Sequence, residues 1–320
     1  MMFGSKKRTD FTIRTMVRED IPDVRELARA VWADQLFKET GIDIEYPARE
    51  MKVYGAYIDN EPDGNLVAEV EGRIVAASYA HTWGSVGWIG PIEVVARWQG
   101  NGIGTALLRR SDAYLGSRGC TVIGVETMSD SDKNVAFYDS LDFSISSPTF
   151  VYEKVIGKVT ELSGMTEELP VDKCEEFLPM FSSMTDSIFP GMDLSKEFRM
   201  TMLGGLGKVL VYRDIDDIVI GASIVHERTV EGLSSHLMRA LVVDPGSESR
   251  ERAFSVLIND SEVVAREMGA KKMFFTSSVS ALSVIALADR GYKVIGNNVK
   301  MLRTGEYHEK GDFQIISWAG

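Results

Sequence analysis

The chain has 320 residues, 44% of them hydrophobic and 26% charged, a balance that excludes a disordered polymer and leaves room for two domains of common size. A formal net charge of −12 disfavours a nucleic-acid partner and is compatible with a cationic ligand. No apolar run approaches the roughly 20 residues that span a bilayer, so no membrane association is expected.

The start, Met1-Met2-Phe3-Gly4-Ser5-Lys6-Lys7-Arg8, lacks the apolar core of a signal peptide, which predicts a cytoplasmic protein with a loose first ten residues. Cys120 and Cys174 lie far apart and outside any paired motif, which argues against a disulfide framework or a cysteine zinc site; no metal is expected.

Residues 11–17 read as a strand. A helix follows from about Pro22 to Phe37, with acids and proline at its start, and a less regular helical segment covers residues 39–57. Residues 66–70 and 73–79, joined at Glu71-Gly72, predict a hairpin, and 87–95 supply another strand. A glycine-rich turn then opens an amphipathic helix carrying Ile103, Ala106, Leu107, Tyr114 and Leu115 on one face. Residues 121–125 form a buried strand, 132–141 a short helix, and 143–156 a closing pair of strands around Pro148. The order β, α, α, β, β, β, α, β, α, β, β describes an α+β sheet with one central crossover.

The turn Gln99-Gly100-Asn101-Gly102-Ile103-Gly104 can cradle an anion. Its glycines let the backbone approach closely, and the unpaired amides of the first helical turn point outward at the positive end of the helix dipole. A dinucleotide loop would need a third glycine where Thr105 or Leu107 stands, and a phosphate-loop NTPase would need a following Gly-Lys-Ser/Thr; neither is present. After the next strand comes Asn134-Val135-Ala136-Phe137-Tyr138-Asp139-Ser140-Leu141-Asp142-Phe143.

These two stretches, about thirty residues apart and each in strand-helix context, resemble the acetyl-coenzyme A motif and the Asn-Val-x-Phe-Tyr-x-x-Leu-Gly-Phe signature of the GCN5-related N-acetyltransferases (GNAT) over roughly residues 11–156. Asp142 stands where glycine is usual, a mild departure because aspartate tolerates left-handed backbone.

The resemblance implies acetyl-coenzyme A as co-substrate and an acyltransferase (EC 2.3.1.-) that moves acetyl to a primary amine by direct attack. The acceptor is a small-molecule amine or a protein amino group. Amides from Gln99, Gly100, Asn101, Gly102, Ile103, Gly104 and Thr105 would hold the pyrophosphate, with Arg97 near it. An amide at Val94 or Val95 would polarise the thioester carbonyl. Tyr138 matches the family's general acid, and Asn134, on the same helix face, would bond the pantetheine arm or cap its helix. For the base, Glu93, Glu126 and His81 each stand near the cleft, and Glu93 is chosen because it adjoins the expected oxyanion donor. The acceptor wall would span residues 30–57, where Trp32, Asp34, Glu39, Asp43, Glu45, Tyr46 and Tyr54 suggest an aromatic, acidic surface for a cationic amine.

From about Lys158 the chain repeats its first half in outline: residues 269–275 mirror 119–125, and 288–292 mirror 139–143. This resembles tandem acetyltransferases, with residues 1–157 catalytic and 158–320 a degenerate second domain, each a mixed, mostly antiparallel sheet flanked by helices. In the second copy, Gln99, Gly100, Gly102 and Gly104 become Ser247, Glu248, Arg250 and Arg252, while Asn134 and Tyr138 become Ser283 and Leu287. Acidic side chains at a helix start repel a pyrophosphate. The second domain is therefore expected to shape the acceptor cleft or a homodimer surface. The rival reading is a non-catalytic acyl-coenzyme A-binding regulatory or interaction protein.

Overall fold

The computed structural model describes residues 10–43, 45–157, 161–227, 234–278 and 280–318; the predicted loose start falls almost wholly outside them. The first half runs β1 (Thr12–Thr15), α1 (Ile21–Thr40), α2 (Met51–Asn60), β2 (Leu66–Val70), β3 (Arg73–Trp83), β4 (Val86–Val94), α3 (Ile103–Ser117), β5 (Val122–Met128), α4 (Asp132–Asp139) and β6 (Ser144–Val155). The second half runs β7 (Thr166–Glu168), α5 (Cys174–Ile188), α6 (Ser195–Leu203), β8 (Gly207–Arg213), β9 (Val219–His226), β10 (Ser235–Val243), α7 (Arg250–Glu267), β11 (Lys272–Ser278), α8 (Ala281–Asp289), β12 (Lys293–Thr304) and β13 (Ile315–Ile316). The expected α+β class holds: pairings are antiparallel except β4 with β5 and β10 with β11.

Two boundaries differ from expectation for local reasons. Gly41, at φ 71°, ends α1 by donating its N–H to Phe37 O, so the second helix starts only at Met51. Residues 144–155 form one strand where a pair was expected. Pro148 fits inside it because β11 covers β6 only from Thr149 onward, leaving one edge open where a missing N–H is tolerated.

The halves repeat in space as well as in sequence. Among the described residues, α1 and α2 pack on the face of the first sheet half that carries Ala77 and Tyr79, and α3 packs on the face that carries Ala76. In the second half, α5 and α6 cover Val209, Val211, Ala222 and Ile224, while α7 covers Leu210, Tyr212 and Ile220. Even a buried hydroxyl pair recurs: Ser78 of β3 and Ser111 of α3 are 2.9 Å apart, and Ser223 of β9 and Ser261 of α7 are 2.8 Å apart.

The last long strand of each half crosses to the other. β12 pairs with β5, from Asn298 opposite Met128 to Thr304 opposite Ile123, and β6 pairs with β11, from Val155 opposite Lys272 to Thr149 opposite Ser278. β6 and β12 also pair with each other, so the sheet continues as β1-β2-β3-β4-β5-β12-β6-β11-β10-β9-β8-β7. Closing one sheet by exchange leaves neither half with an exposed central edge. A buried ion pair of the second half also meets the first: Arg239 of β10 bonds Glu197 of α6 at 2.9 and 3.0 Å and lies over the Trp83 and Trp88 rings, and Glu197 accepts the Trp83 indole N–H. Both cysteines are buried and free.

Candidate active site

β4 and β5 are hydrogen-bonded only from Val86 opposite Val122 to Trp88 opposite Gly124, and beyond that they diverge. A bulge drives the departure. Gly90 and Pro91 together stand opposite the single residue Tyr79 of β3, which bends β4 away from its neighbour. The resulting gap opens into a cavity of about 430 Å³.

The cavity draws its lining from both faces of the sheet. Gln99, Gly100, Gly102, Gly104 and Thr105 come from the α3 side with Asn134, Phe137 and Tyr138 of α4; Val31, Trp32 and Gln35 of α1 come from the other, with Glu93 between. It is thus a passage through the sheet with an anion cradle at one end and a carboxylate toward the other.

The cradle follows from backbone geometry. Gly100 and Gly102 have φ 75° and 82°, a region that side-chain-bearing residues rarely adopt. Ala106 is the first residue to take an intrahelical carbonyl, that of Gly102, so the amides of 103–105 precede the helical ladder. Asn101 and Ile103 do not line the cavity. The Asn101 side chain donates to Trp98 O and Gln99 O and so folds the turn, while the Ile103 side chain is buried under β2 and β3. Arg97 lies over the Trp98 ring and is likewise absent from the lining.

The Val94 and Val95 alternatives resolve differently. The Val95 N–H donates to Val75 O at 3.1 Å and cannot serve as an oxyanion donor. Backbone groups alternate sides along a strand, so those of Val94 face the gap. Its carbonyl accepts the Gln99 side-chain amide at 2.9 Å, and the other end of that side chain accepts Lys133 Nζ at 2.7 Å. Lys133, at the cradle end of the cavity, was not singled out in the sequence; a cation beside Asn134 at a helix start was the available signal.

Glu93 is 1% exposed. Its Oε1 accepts the Trp32 indole N–H at 3.0 Å and lies 3.6 Å from the Arg49 guanidinium, while its Oε2 is buried with no hydrogen-bond partner among the described residues. Leaving a buried polar atom unmatched costs about 1–3 kcal/mol, a cost that a proton or a hydrogen-bond donor entering the cavity would relieve. Burial raises the Glu93 pKa above the usual carboxylate value, against the opposing pull of Arg49 and the Trp32 hydrogen bond. Tyr138 lines the same cavity, edge-on to Phe137 and Phe143, and burial pushes its phenol up to about 12. Asn134 sits inside α4, whose N-cap is Ser131, so its side chain lines the cavity instead of capping.

The other base candidates are placed elsewhere. His81 stacks on Trp88 at 4.2 Å, bonds Gly90 O, and is held down to about 4 by burial; it does not line the cavity. Glu126 accepts from Thr149 and Asn298 through one oxygen and is also absent from the lining.

The acidic acceptor wall is not borne out as drawn. Asp34 pairs with Lys38, Glu45 pairs with Arg29, and Asp43 is exposed away from the cavity, while Tyr54 is buried against Tyr79. Only the backbone of Glu39 is described. The aromatic part stands, since Trp32 lines the cavity and stacks with Tyr46 at 6.2 Å.

In the second half, the corresponding gap is filled by the chain itself. β10 and β11 pair from Ser235 to Leu237 and then diverge, and β13 enters between them, with Ile315 and Ile316 opposite Leu241 and Ala240. Ser317 completes the plug by bonding Met238 O and the Thr276 backbone. Ser283 is turned into a bond with Ser280, and Leu287 is buried in the core.

Residues 24–143 match the acetyltransferase (GNAT) family. An acetyltransferase of Sodalis glossinidius is 29% identical over 97 residues, which cover 30% of this chain and 68% of that protein. One from Pectobacterium atrosepticum is 34% identical over 86 residues, 27% of this chain and 61% of its own. The whole fold also has counterparts. A protein of Pyrococcus horikoshii assigned as an acetyltransferase superposes with a TM-score of 0.71 at 17% identity, covering 99% of both chains. A tandem GNAT protein from the clavulanic acid biosynthesis pathway does so at 0.60 and 13%, covering 95% and 99%. The match to the family thus covers residues 24–143, and the chain as a whole shares its fold with these proteins, with two copies of that fold in one polypeptide.

Proposed function

We propose that residues 1–157 transfer an acetyl group from acetyl-coenzyme A to a primary amine, and that residues 158–320 are a non-catalytic second domain. The observation that carries this reading is the passage through the sheet, which joins the glycine cradle and Tyr138 on one side to Glu93 and Trp32 on the other. Amides ahead of the α3 ladder, positive-φ glycines and an open strand edge at Val94 fit a pyrophosphate followed by an extended arm.

When bound, acetyl-coenzyme A supplies an activated thioester. The chain's own groups supply the rest. Lys133 and the amides of residues 103–105 hold negative charge at the cradle, and the Val94 N–H donates toward the carbonyl oxygen. The amine nitrogen forms the new bond to the acyl carbon as the carbon–sulfur bond breaks. Glu93 Oε2 takes the proton the amine loses, directly or through one water, and Tyr138 donates the proton that the departing sulfur takes up. Holding both reactants in one passage makes a covalent enzyme intermediate unnecessary.

Calorimetry with acetyl-coenzyme A, followed by thiol release across a panel of amines, tests the reading. Binding with amine-dependent release is the expected result. Binding without release for any amine would instead favour an acyl-coenzyme A-binding regulatory protein, and absence of binding would overturn both.

A further inference from the structure

We infer that the acceptor is a monoamine on a flat apolar body, which lies against Trp32 and presents its amino group to Glu93. This rests on the acyl-transfer reading above and adds the class of amine.

The acceptor end of the passage is walled by Val31, Trp32, Gln35 and Ile92. Among the described residues, Glu93 is the one carboxylate in the cavity lining, and Arg49 already faces it. Among the described lining residues, the second ammonium of a polyamine or aminoglycoside would find no counter-charge. The acids that could have offered one, Asp34 and Glu45, are paired with Lys38 and Arg29 and lie off the lining. The carboxylate of an amino acid fares no better: Arg49 stands outside the lining and within reach of Glu93, and Lys133 is at the cradle end, bonded to Gln99. Burying an unmatched charge costs far more than the contacts of a small ligand return.

An apolar body, by contrast, finds a matched surface. Trp32 is fixed twice, by its N–H bond to Glu93 and by stacking with Tyr46, so its ring is preorganised as a platform. The same N–H fixes the Glu93 carboxylate, so Trp32 is also a positioning residue for the base. Seating the acceptor and orienting the carboxylate are thereby tied to one side chain.

The test is a calorimetric titration of amines into protein saturated with coenzyme A, paired with acetyl-transfer rates. Phenethylamine should bind at least about ten-fold more tightly than spermidine, glucosamine or lysine. Trp32→Ala should weaken phenethylamine by about ten-fold or more while coenzyme A affinity stays within about two-fold. Trp32→Phe, which keeps a ring but loses the N–H, should keep most of the amine affinity and shift the pH dependence of transfer. Tighter binding of spermidine, glucosamine or lysine, or an unchanged phenethylamine affinity in Trp32→Ala, would overturn the inference and leave acyl transfer standing. Failure of coenzyme A itself to bind would overturn the underlying reading and this inference with it.

Discussion

Val95 gives its backbone N–H to Val75 across the β3–β4 ladder, and that one bond decides which amide can face the gap. Because neighbouring residues alternate, proline at 94 and proline at 95 remove different things. Val94→Pro should lower turnover by about 10²–10³-fold, the usual loss of an oxyanion donor, with little change in melting temperature. Val95→Pro should instead cost about 1–3 kcal/mol of stability by orphaning the Val75 carbonyl. Thermal denaturation and steady-state kinetics on the pair check this, and equal effects on turnover would contradict it.

In the proposed chemistry Glu93 sets the acid limb of the pH profile, and Tyr138 sets none within the working range. The Glu93 pKa is raised, so a base that must be ionised loses activity, as pH falls, earlier than an ordinary carboxylate at 4.5 would. The Trp32 hydrogen bond opposes that rise, so Trp32→Phe should move the acid limb of kcat/KM to still higher pH. Tyr138, pushed up to about 12, stays a proton donor at any working pH. Tyr138→Phe should therefore cut kcat by about 10²-fold or more across the neutral range while the affinity for acetyl-coenzyme A is unchanged. Unchanged turnover would remove Tyr138 from the chemistry.

Stability should fall on acidification for reasons remote from the site. Burial holds His81 and His226 down to about 4 and about 3, below the ordinary 6.5, and Arg239 holds Glu197 down to about 2 against its burial. All three shifts are downward. The unfolded chain therefore binds more protons in each window, and stability present at neutral pH is lost as pH drops, from 6.5 for the histidines and from 4.5 for Glu197. Urea midpoints should decline between pH 7 and 4, and His81→Phe, which keeps a ring against Trp88, should flatten the upper part of that decline.

The Arg239–Glu197 pair gives a sharper version. Arg239→Ala leaves Glu197 charged and buried and should cost about 3–5 kcal/mol, whereas Arg239→Met combined with Glu197→Met should recover much of it. A double variant no better than the single would show that the Trp83 contacts, not the charges, hold this seam.

How far the sequence reached depends on how local each feature is. The Gln99–Gly104 cradle and the Asn134 and Tyr138 helix lie in contiguous text, where glycine spacing and helical period carry the geometry, and both fall in one cavity. Glu93 was reachable because it adjoins that text. The choice between Val94 and Val95 was not, since it depends on the β3–β4 register and on the bulge at Gly90 and Pro91. The exchange of β6 and β12 was equally hidden. Alternating patterns tell a strand which face to bury, not which neighbour to take. The ion pairs at Asp34 and Glu45 needed coordinates, because a run of acids reads the same whether free or neutralised.

The last consequence concerns stoichiometry. Two copies of one fold would offer two gaps, yet β13 pairs with β10 in the second and Ser317 bridges to Thr276, so backbone groups that an extended ligand would need are taken. The start of α7 also lacks the glycines of the first cradle, with Glu248, Arg250 and Arg252 standing in place of Gly100, Gly102 and Gly104. Acetyl-coenzyme A should therefore titrate at one equivalent per chain. Gly102 at φ 82° has no strain-free replacement, and Gly102→Val should distort the cradle and abolish binding outright, with no residual second site. A Gly102→Val protein that melts like the parent and still takes up one equivalent would show that the second gap opens, and that β13 is a removable occupant and not a permanent strand.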